Sequence, residues 1–171
     1  EKNNKLIDRF KNRLIFPIFD YNNKVIGFGG RALSQNYLAK YINSPETEFF
    51  KKGFNLYNLN NAKNENKQSG IVFVVEGYMD AISLYQAGFK NVVATLGTAM
   101  TESHLNLVWR YFNDPVVCFD GDRSGQNAAH KISEKLIAYM KPNYSLSFLI
   151  LPNGFDPDSF VRKNGRNNFE S

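Results

Sequence analysis

Ile71-Val72-Phe73-Val74-Val75-Glu76-Gly77-Tyr78-Met79-Asp80 is the stretch that decides the fold. Five consecutive apolar residues fit a strand buried on both faces of a parallel sheet, since such a strand has no solvated side. Glu76 ends the run. Tyr78, Ala81, Ile82 and Tyr85 then recur at the spacing of one helix face, and Gly88 is placed to stop that helix. The unit repeats downstream. Asn91-Val92-Val93-Ala94-Thr95 predicts the next strand. Thr101 is a plausible N-cap for a helix carrying Leu105, Val108, Trp109 and Phe112. Pro115-Val116-Val117-Cys118-Phe119 predicts a third strand, Ala129, Ile132 and Leu136 a third helix, and residues 145–151 a fourth strand. Alternating strands and helices define an α/β domain with a mainly parallel four-stranded sheet flanked by helices.

Upstream the pattern differs. Leu14-Ile15-Phe16-Pro17-Ile18-Phe19 and Val25-Ile26-Gly27-Phe28-Gly29-Gly30 read as two strands joined by the turn residues Asp20-Tyr21-Asn22-Asn23. Three glycines in that second strand let a backbone or ligand approach closely. Tyr41-Ile42-Asn43 is a short third strand closed by Ser44-Pro45. A polar, possibly helical stretch leads to the linker Gln68-Ser69-Gly70. The chain thus divides into a small β-rich basic subdomain (1–69), the α/β domain (70–152) and an acidic loop opening a further helical segment (153–171).

The 171 residues are 43% hydrophobic and 22% charged, which suits a folded domain rather than a disordered chain. No apolar run nears the roughly 20 residues needed to span a bilayer, and the polar start does not resemble a secretion signal. A single cysteine, Cys118, excludes disulfides and paired-cysteine zinc sites within these residues, and two histidines exclude a histidine-rich metal site. Cys118 is expected in the core, and His104 and His130 on helix surfaces. Residues 1–70 carry twelve Lys/Arg against six Asp/Glu, whereas residues 71–171 carry nine against ten. A basic surface beside clustered acids suits phosphates and their counter-ions, although a solvated lysine- and asparagine-rich face is the better account of the charge alone, which identifies no partner.

The acids fall at strand ends. Glu76 closes the first strand of the α/β domain, Asp120 the third, with Asp122 two residues on, and Asp156 and Asp158 follow the fourth. Ligands bind at the carboxyl ends of strands in open parallel sheets, so these side chains are expected on one rim. In extended backbone, residues i and i+2 point the same way, so Asp120 and Asp122 could reach one ion. Such a site suits Mg²⁺ or Mn²⁺, hard cations that take oxygen ligands. No Gly-x-x-x-x-Gly-Lys phosphate loop is present. Structural roles compete. Asp80 favours the positive end of its helix, with an indirect role at a metal possible. Asp122 or Ser124 could cap the third helix, and Asp156-Pro157 reads equally as a cap.

Val75-Glu76-Gly77-Tyr78-Met79-Asp80, Leu96-Gly97-Thr98 and Phe119-Asp120-Gly121-Asp122-Arg123-Ser124-Gly125 resemble the Toprim domain. Arg9-Phe10, Phe16-Pro17-Ile18, Gly27-Phe28-Gly29-Gly30-Arg31, residues 40–47, Lys52-Gly53 and Asp156-Pro157-Asp158-Ser159 resemble the RNA polymerase core of DnaG-type bacterial primases. The resemblance implies a nucleotidyltransferase that copies single-stranded DNA into a short RNA primer from ribonucleoside triphosphates. It implies divalent metal on Glu76, Asp120 and Asp122, with Asp80, Asp156 and Asp158 nearby. It implies catalytic positive charge from Arg31, Lys40 and Lys52. Template and nucleotide contacts would come from Arg9, Arg13, Arg31, Lys40, Tyr41, Asn43 and Lys52. It also implies a cytoplasmic protein of the bacterial replisome. On this reading the chain is a fragment of the core, with zinc held only in an N-terminal domain and the replicative helicase met through a C-terminal domain, both outside these residues. The rival readings are Toprim nuclease or topoisomerase cleavage, and a non-catalytic nucleic-acid-binding module.

Overall fold

The computed structural model describes residues 7–34, 38–65 and 70–170. Strands β1 (Arg13–Phe19), β2 (Val25–Ala32) and β3 (Tyr41–Asn43) form an antiparallel sheet in that order. The Asp20 carboxylate makes the first turn by accepting the backbone N–H groups of Asn22 (2.8 Å) and Lys24 (2.9 Å). Aromatic rings approach the glycines of β2 closely. A Cβ on Gly29 would lie 2.9 Å from the Tyr78 ring, and one on Gly30 2.7 Å from Phe10.

The stretch after β3 is mostly loop. Among the described residues it holds only α1 (Leu59–Ala62) and one 3-10 turn (Lys63–Glu65). Asparagines explain the interruption, because their side chains bond locally instead of supporting a helix. Asn61 donates to Asn58 at 2.8 Å, and Asn60 to Asn61 at 3.3 Å. Of the expected linker, Gln68-Ser69 lies outside the described residues.

The second half alternates as the apolar pattern predicts: β4 (Ile71–Val75), α2 (Tyr78–Gln86), β5 (Val92–Ala94), α3 (Glu102–Val108), β6 (Asp114–Phe119), α4 (Arg123–Ile137), β7 (Ser147–Ile150) and α5 (Pro157–Glu170). The strands run parallel in the order β5-β4-β6-β7. Strand alternation splits β4 between two cores. Val72 and Val74 meet Leu105, Val108, Ile132 and Leu136 from α3 and α4. Phe73 and Val75 join Ala81, Leu84 and Val161 from α2 and α5, with Cys118 buried among them as expected. Helices thus cover both faces. Truncating a fully buried side chain such as Leu136 to alanine costs about 2–5 kcal/mol. Trp109 and Phe112 are also buried but lie past the end of α3.

Backbone and ring contacts help join the two halves. Tyr57 exchanges backbone hydrogen bonds with Ala94 (2.9 and 3.1 Å) and so covers the β5 edge. The Tyr78 ring, at the start of α2, packs on Phe16, Tyr41 and Tyr57 at centroid distances of 4.7, 5.5 and 5.9 Å. No helix among the described residues is long and apolar enough to cross a membrane.

Candidate functional site

Between the two sheets, at the carboxyl ends of β4 and β6, lies a cleft of about 530 Å³. Arg31 of β2, Tyr41 and Asn43 of β3, Lys40 just before β3, and Lys52 form one wall. Glu76 through Asp80, Leu96-Gly97, Asp120, Asp156 and Asp158 form the other. The backbone around Asp120 is held by two close approaches. A Cβ on Gly121 would sit 2.0 Å from the Pro152 carbonyl oxygen, and one on Gly125 2.1 Å from that of Asp120. Glycine at both positions lets β6, the loop after β7 and the start of α4 touch directly.

The six candidate acids separate by what they already bind. Asp122 caps α4, accepting the Gly125 N–H at 2.7 Å, and does not line the cleft. Its charge still reaches Asp120, whose carboxyl it helps to push up. Asp156 accepts the Ser159 N–H at 2.7 Å, as a cap for α5. Asp158 pairs with Arg162 and accepts the Ser83 hydroxyl. Asp80 takes backbone N–H groups of Asp158 and Gly77. Among the described residues, only the Glu76 and Asp120 carboxylates of the six have neither hydrogen bond nor ion pair.

Burial and crowding by like charge show in the protonation equilibria. Burial, then Asp156 and Asp120, push the Asp80 carboxyl up to about 7 against the pull of its backbone donors. Burial, then Glu76, Asp156 and Asp122, push Asp120 up to about 6. Among the described residues no three acidic, histidine or cysteine side chains gather into a ready metal cage. Glu76 and Asp122 both act on Asp120 by like charge, and Asp122 is also bonded to its helix. The donor set fits a hard divalent cation: oxygen ligands only, mutually repelling, and among the described residues two of them uncommitted with no lysine or arginine paired to those two.

On the basic wall, Arg31 Nη1 reaches across to Met79 Sδ at 4.0 Å, and Lys40 Nζ stands 5.5 Å from the Tyr41 ring centroid. Arg9 and Arg13 lie off the cleft. Arg13 donates to the carbonyls of Ala39 (2.8 Å) and Lys40 (3.2 Å), and Arg9 to that of Asn43 (3.1 Å). Both guanidiniums thereby fix β3, which carries Tyr41 and Asn43.

Several site residues were not singled out in the sequence. Tyr78 forms part of the cleft wall, and its hydroxyl and Asn43 Oδ1 are buried without a hydrogen-bond partner among the described residues. Asn43 Nδ2 instead donates to the Leu96 carbonyl at 3.1 Å, holding a leucine at φ 62° in the left-handed region. His104 corrects an expectation. It is fully buried rather than on a surface, because both ring nitrogens bond within the fold. His130 is exposed, as expected.

Acids at the ends of parallel strands, with Glu76-Gly77 on one and Asp120-Gly121-Asp122 on its neighbour, define a Toprim domain, and the Toprim-like family matches residues 73–161. The family described as the DNA primase catalytic core, N-terminal domain, matches residues 1–63. A DNA primase of Clostridium acetobutylicum is 49% identical over 169 residues, 99% of this chain and 28% of that protein. A DNA primase domain from Pseudomonas aeruginosa superposes with a TM-score of 0.89 at 45% identity, over 95% of this chain and 50% of that one. The DnaG primase catalytic domain bound to ssDNA gives a TM-score of 0.88 at 47% identity, over 95% and 52%. The chain belongs to the DnaG-type bacterial DNA primase family, within its catalytic core. It spans 28% of the length of its curated C. acetobutylicum relative and about half of the solved structures.

Proposed function

We propose that the cleft is a nucleotidyl-transfer site that extends an RNA primer on a single-stranded DNA template from ribonucleoside triphosphates. The observation that carries this is the pair of facing walls. Arg31, Lys40 and Lys52 confront Glu76 and Asp120 across one cleft, and no ion pair between them cancels the charge among the described residues. Such a cleft accepts a polyanion on one side and holds a divalent cation on the other. Glu76 and Asp120 would hold Mg²⁺ or Mn²⁺, with Asp80, Asp156, Asp158 and Asp122 around them. The bound cation would supply positive charge to a phosphate under attack.

The protein's own groups do the rest. Arg31, Lys40 and Lys52 bind the triphosphate and orient its α-phosphate. Arg9 and Arg13 keep β3 in place, so that Tyr41 presents a ring on which a base can stack and Asn43 lines the wall beside it. The primer 3′-hydroxyl loses its proton to solvent and forms a new oxygen–phosphorus bond at the α-phosphate, while the α-phosphorus bond to the bridging oxygen breaks and pyrophosphate leaves. Residues 1–69 form the basic template-facing part, 70–152 the acidic Toprim part, and 153–171 the acidic loop and following helix. The solved DnaG domain bound to ssDNA supports the template assignment. In the bacterial cytoplasm such a core works at the replisome, and contact with the replicative helicase and any zinc fall to segments other than these 171 residues. Priming by these residues alone is expected to be weak, since positioning supplies much of such catalysis.

The test incubates the chain with single-stranded template, all four ribonucleoside triphosphates and Mg²⁺ or Mn²⁺. The proposal expects template-dependent RNA, lost in Asp120→Asn. Cut DNA without RNA would favour a Toprim nuclease or topoisomerase. Template binding with neither product would favour a binding module.

A further inference from the structure

We propose that His104, aided by Thr101, is a positioning residue that fixes Lys52 in the cleft for contact with nucleotide phosphate. This rests on the nucleotidyl-transfer reading of the cleft and names a part of it that lies outside the cleft. Lys52 belongs to a loop with no helix or strand of its own, yet its backbone is clamped on both sides. Its N–H donates to Glu46 Oε1 at 3.0 Å. Its carbonyl accepts from His104 Nε2 at 2.6 Å. The next carbonyl, that of Gly53, accepts from Thr101 Oγ1 at 2.7 Å. Two of these three partners open α3, about fifty residues further along the chain, and His104 is wholly buried.

The same two side chains cap α3 reciprocally. Thr101 Oγ1 accepts the His104 N–H at 3.1 Å, and His104 Nδ1 accepts the Thr101 N–H at 3.3 Å. Capping needs only one ring nitrogen, and glutamate or glutamine commonly does this work at the same helix position. The second nitrogen is what distinguishes histidine here: its N–H donates a hydrogen bond to the backbone carbonyl of a cleft lysine. Both bonds hold together only in the neutral tautomer with the proton on Nε2, since a proton on Nδ1 would face the Thr101 N–H. Burial lowers the imidazole pKa and keeps the ring neutral. A rigid helix end thus sets the place of a flexible side chain that would otherwise lose binding energy to loop motion.

The test measures binding of ATP, with Mg²⁺ present, to the 171-residue chain and to His104→Phe, His104→Gln, Lys52→Ala and the double variant His104→Phe/Lys52→Ala. Gln can accept from Thr101 and donate to Lys52, whereas Phe fills the space and does neither. Losing one charge-assisted phosphate contact in Lys52→Ala is expected to weaken binding about tenfold. His104→Phe should weaken it about three- to tenfold, with His104→Gln within about twofold of the parent. The deciding result is the double variant, which should bind ATP no worse than Lys52→Ala, because the side chain to be positioned is gone. Losses that multiply in the double variant would make His104 merely structural and overturn the proposal, as would parent-like binding by His104→Phe. Should His104→Phe fail to fold, Thr101→Val, which removes the bond to Gly53, is carried through the same cycle with the same two readings. A parent chain that binds no ATP overturns the functional reading, and this proposal falls with it; a parent that binds while the cycle is additive overturns this proposal alone.

Discussion

Glu76 and Asp120 end neighbouring parallel strands, β4 and β6, and after burial it is Glu76 that does most to push the Asp120 carboxyl up to about 6. Folding brings these two carboxylates together although neither gains a hydrogen bond or ion pair among the described residues. That arrangement costs stability in the absence of a cation and suits a cation-holding site.

The cost has a pH signature. Asp80 and Asp120 bind protons more tightly when folded, near 7 and 6, than the ordinary 3.8 expected unfolded. Between those limits the folded state holds more protons, so these two groups make stability fall as pH rises from about 4 through 7. Melting in metal-free buffer across that range should show the decline. Asp120→Asn should flatten it, and an unchanged slope in that variant would remove Asp120 as a source.

Asp122 should behave as a cap. Replacing it with Ala should cost about 1 kcal/mol through loss of the Gly125 bond, while Asn should be nearly neutral. Denaturant unfolding of both variants checks this. Equal losses in the two would show that negative charge, rather than the cap, is what matters there.

Gly121→Ala should cost more than about 3 kcal/mol or prevent folding, because its Cβ would lie 2.0 Å from the backbone oxygen of Pro152. Gly97→Ala is a useful comparison, since nothing lies within 4 Å of its Cβ and only its φ of 75° is strained. Expression and melting of the two should rank them in that order.

Single-stranded DNA binding should weaken with salt, with a log–log slope of about −0.7 per phosphate contact. Arg31→Ala and Lys40→Ala should each make that slope shallower by about 0.7 if they meet template phosphates. Arg13→Ala should chiefly lower the melting temperature, because it releases the carbonyls of Ala39 and Lys40 beside β3. Titrations at several salt concentrations measure the slopes.

The α/β half was legible because Val72, Val74 and their successors form unbroken apolar runs, which only a sheet covered on both faces can bury. The acid-bearing rim was legible for the same reason: parallel strands deliver Glu76 and Asp120 to one end. The capping bond of Asp122 was not, because an acid two residues past a strand reads alike as ligand or cap until the helix start is placed. Nor was the burial of His104, since its partner lies at residue 52 and no local spacing records that contact. The close approach at Gly121 depends on the loop after β7, so its steric reason appears only once three segments meet.

Thermal melting of the parent, Glu76→Gln and Asp120→Asn, each with and without Mg²⁺ or Mn²⁺, tests the central claim most directly. A cation that binds only the folded state raises its stability by mass action. The parent should therefore gain stability with metal. Both amide variants should be at least as stable as the parent without metal, since each removes one repelling charge, and should lose most of the gain. If both variants keep the parent's full metal-induced shift, Glu76 and Asp120 do not hold the cation, and the account of the cleft is contradicted.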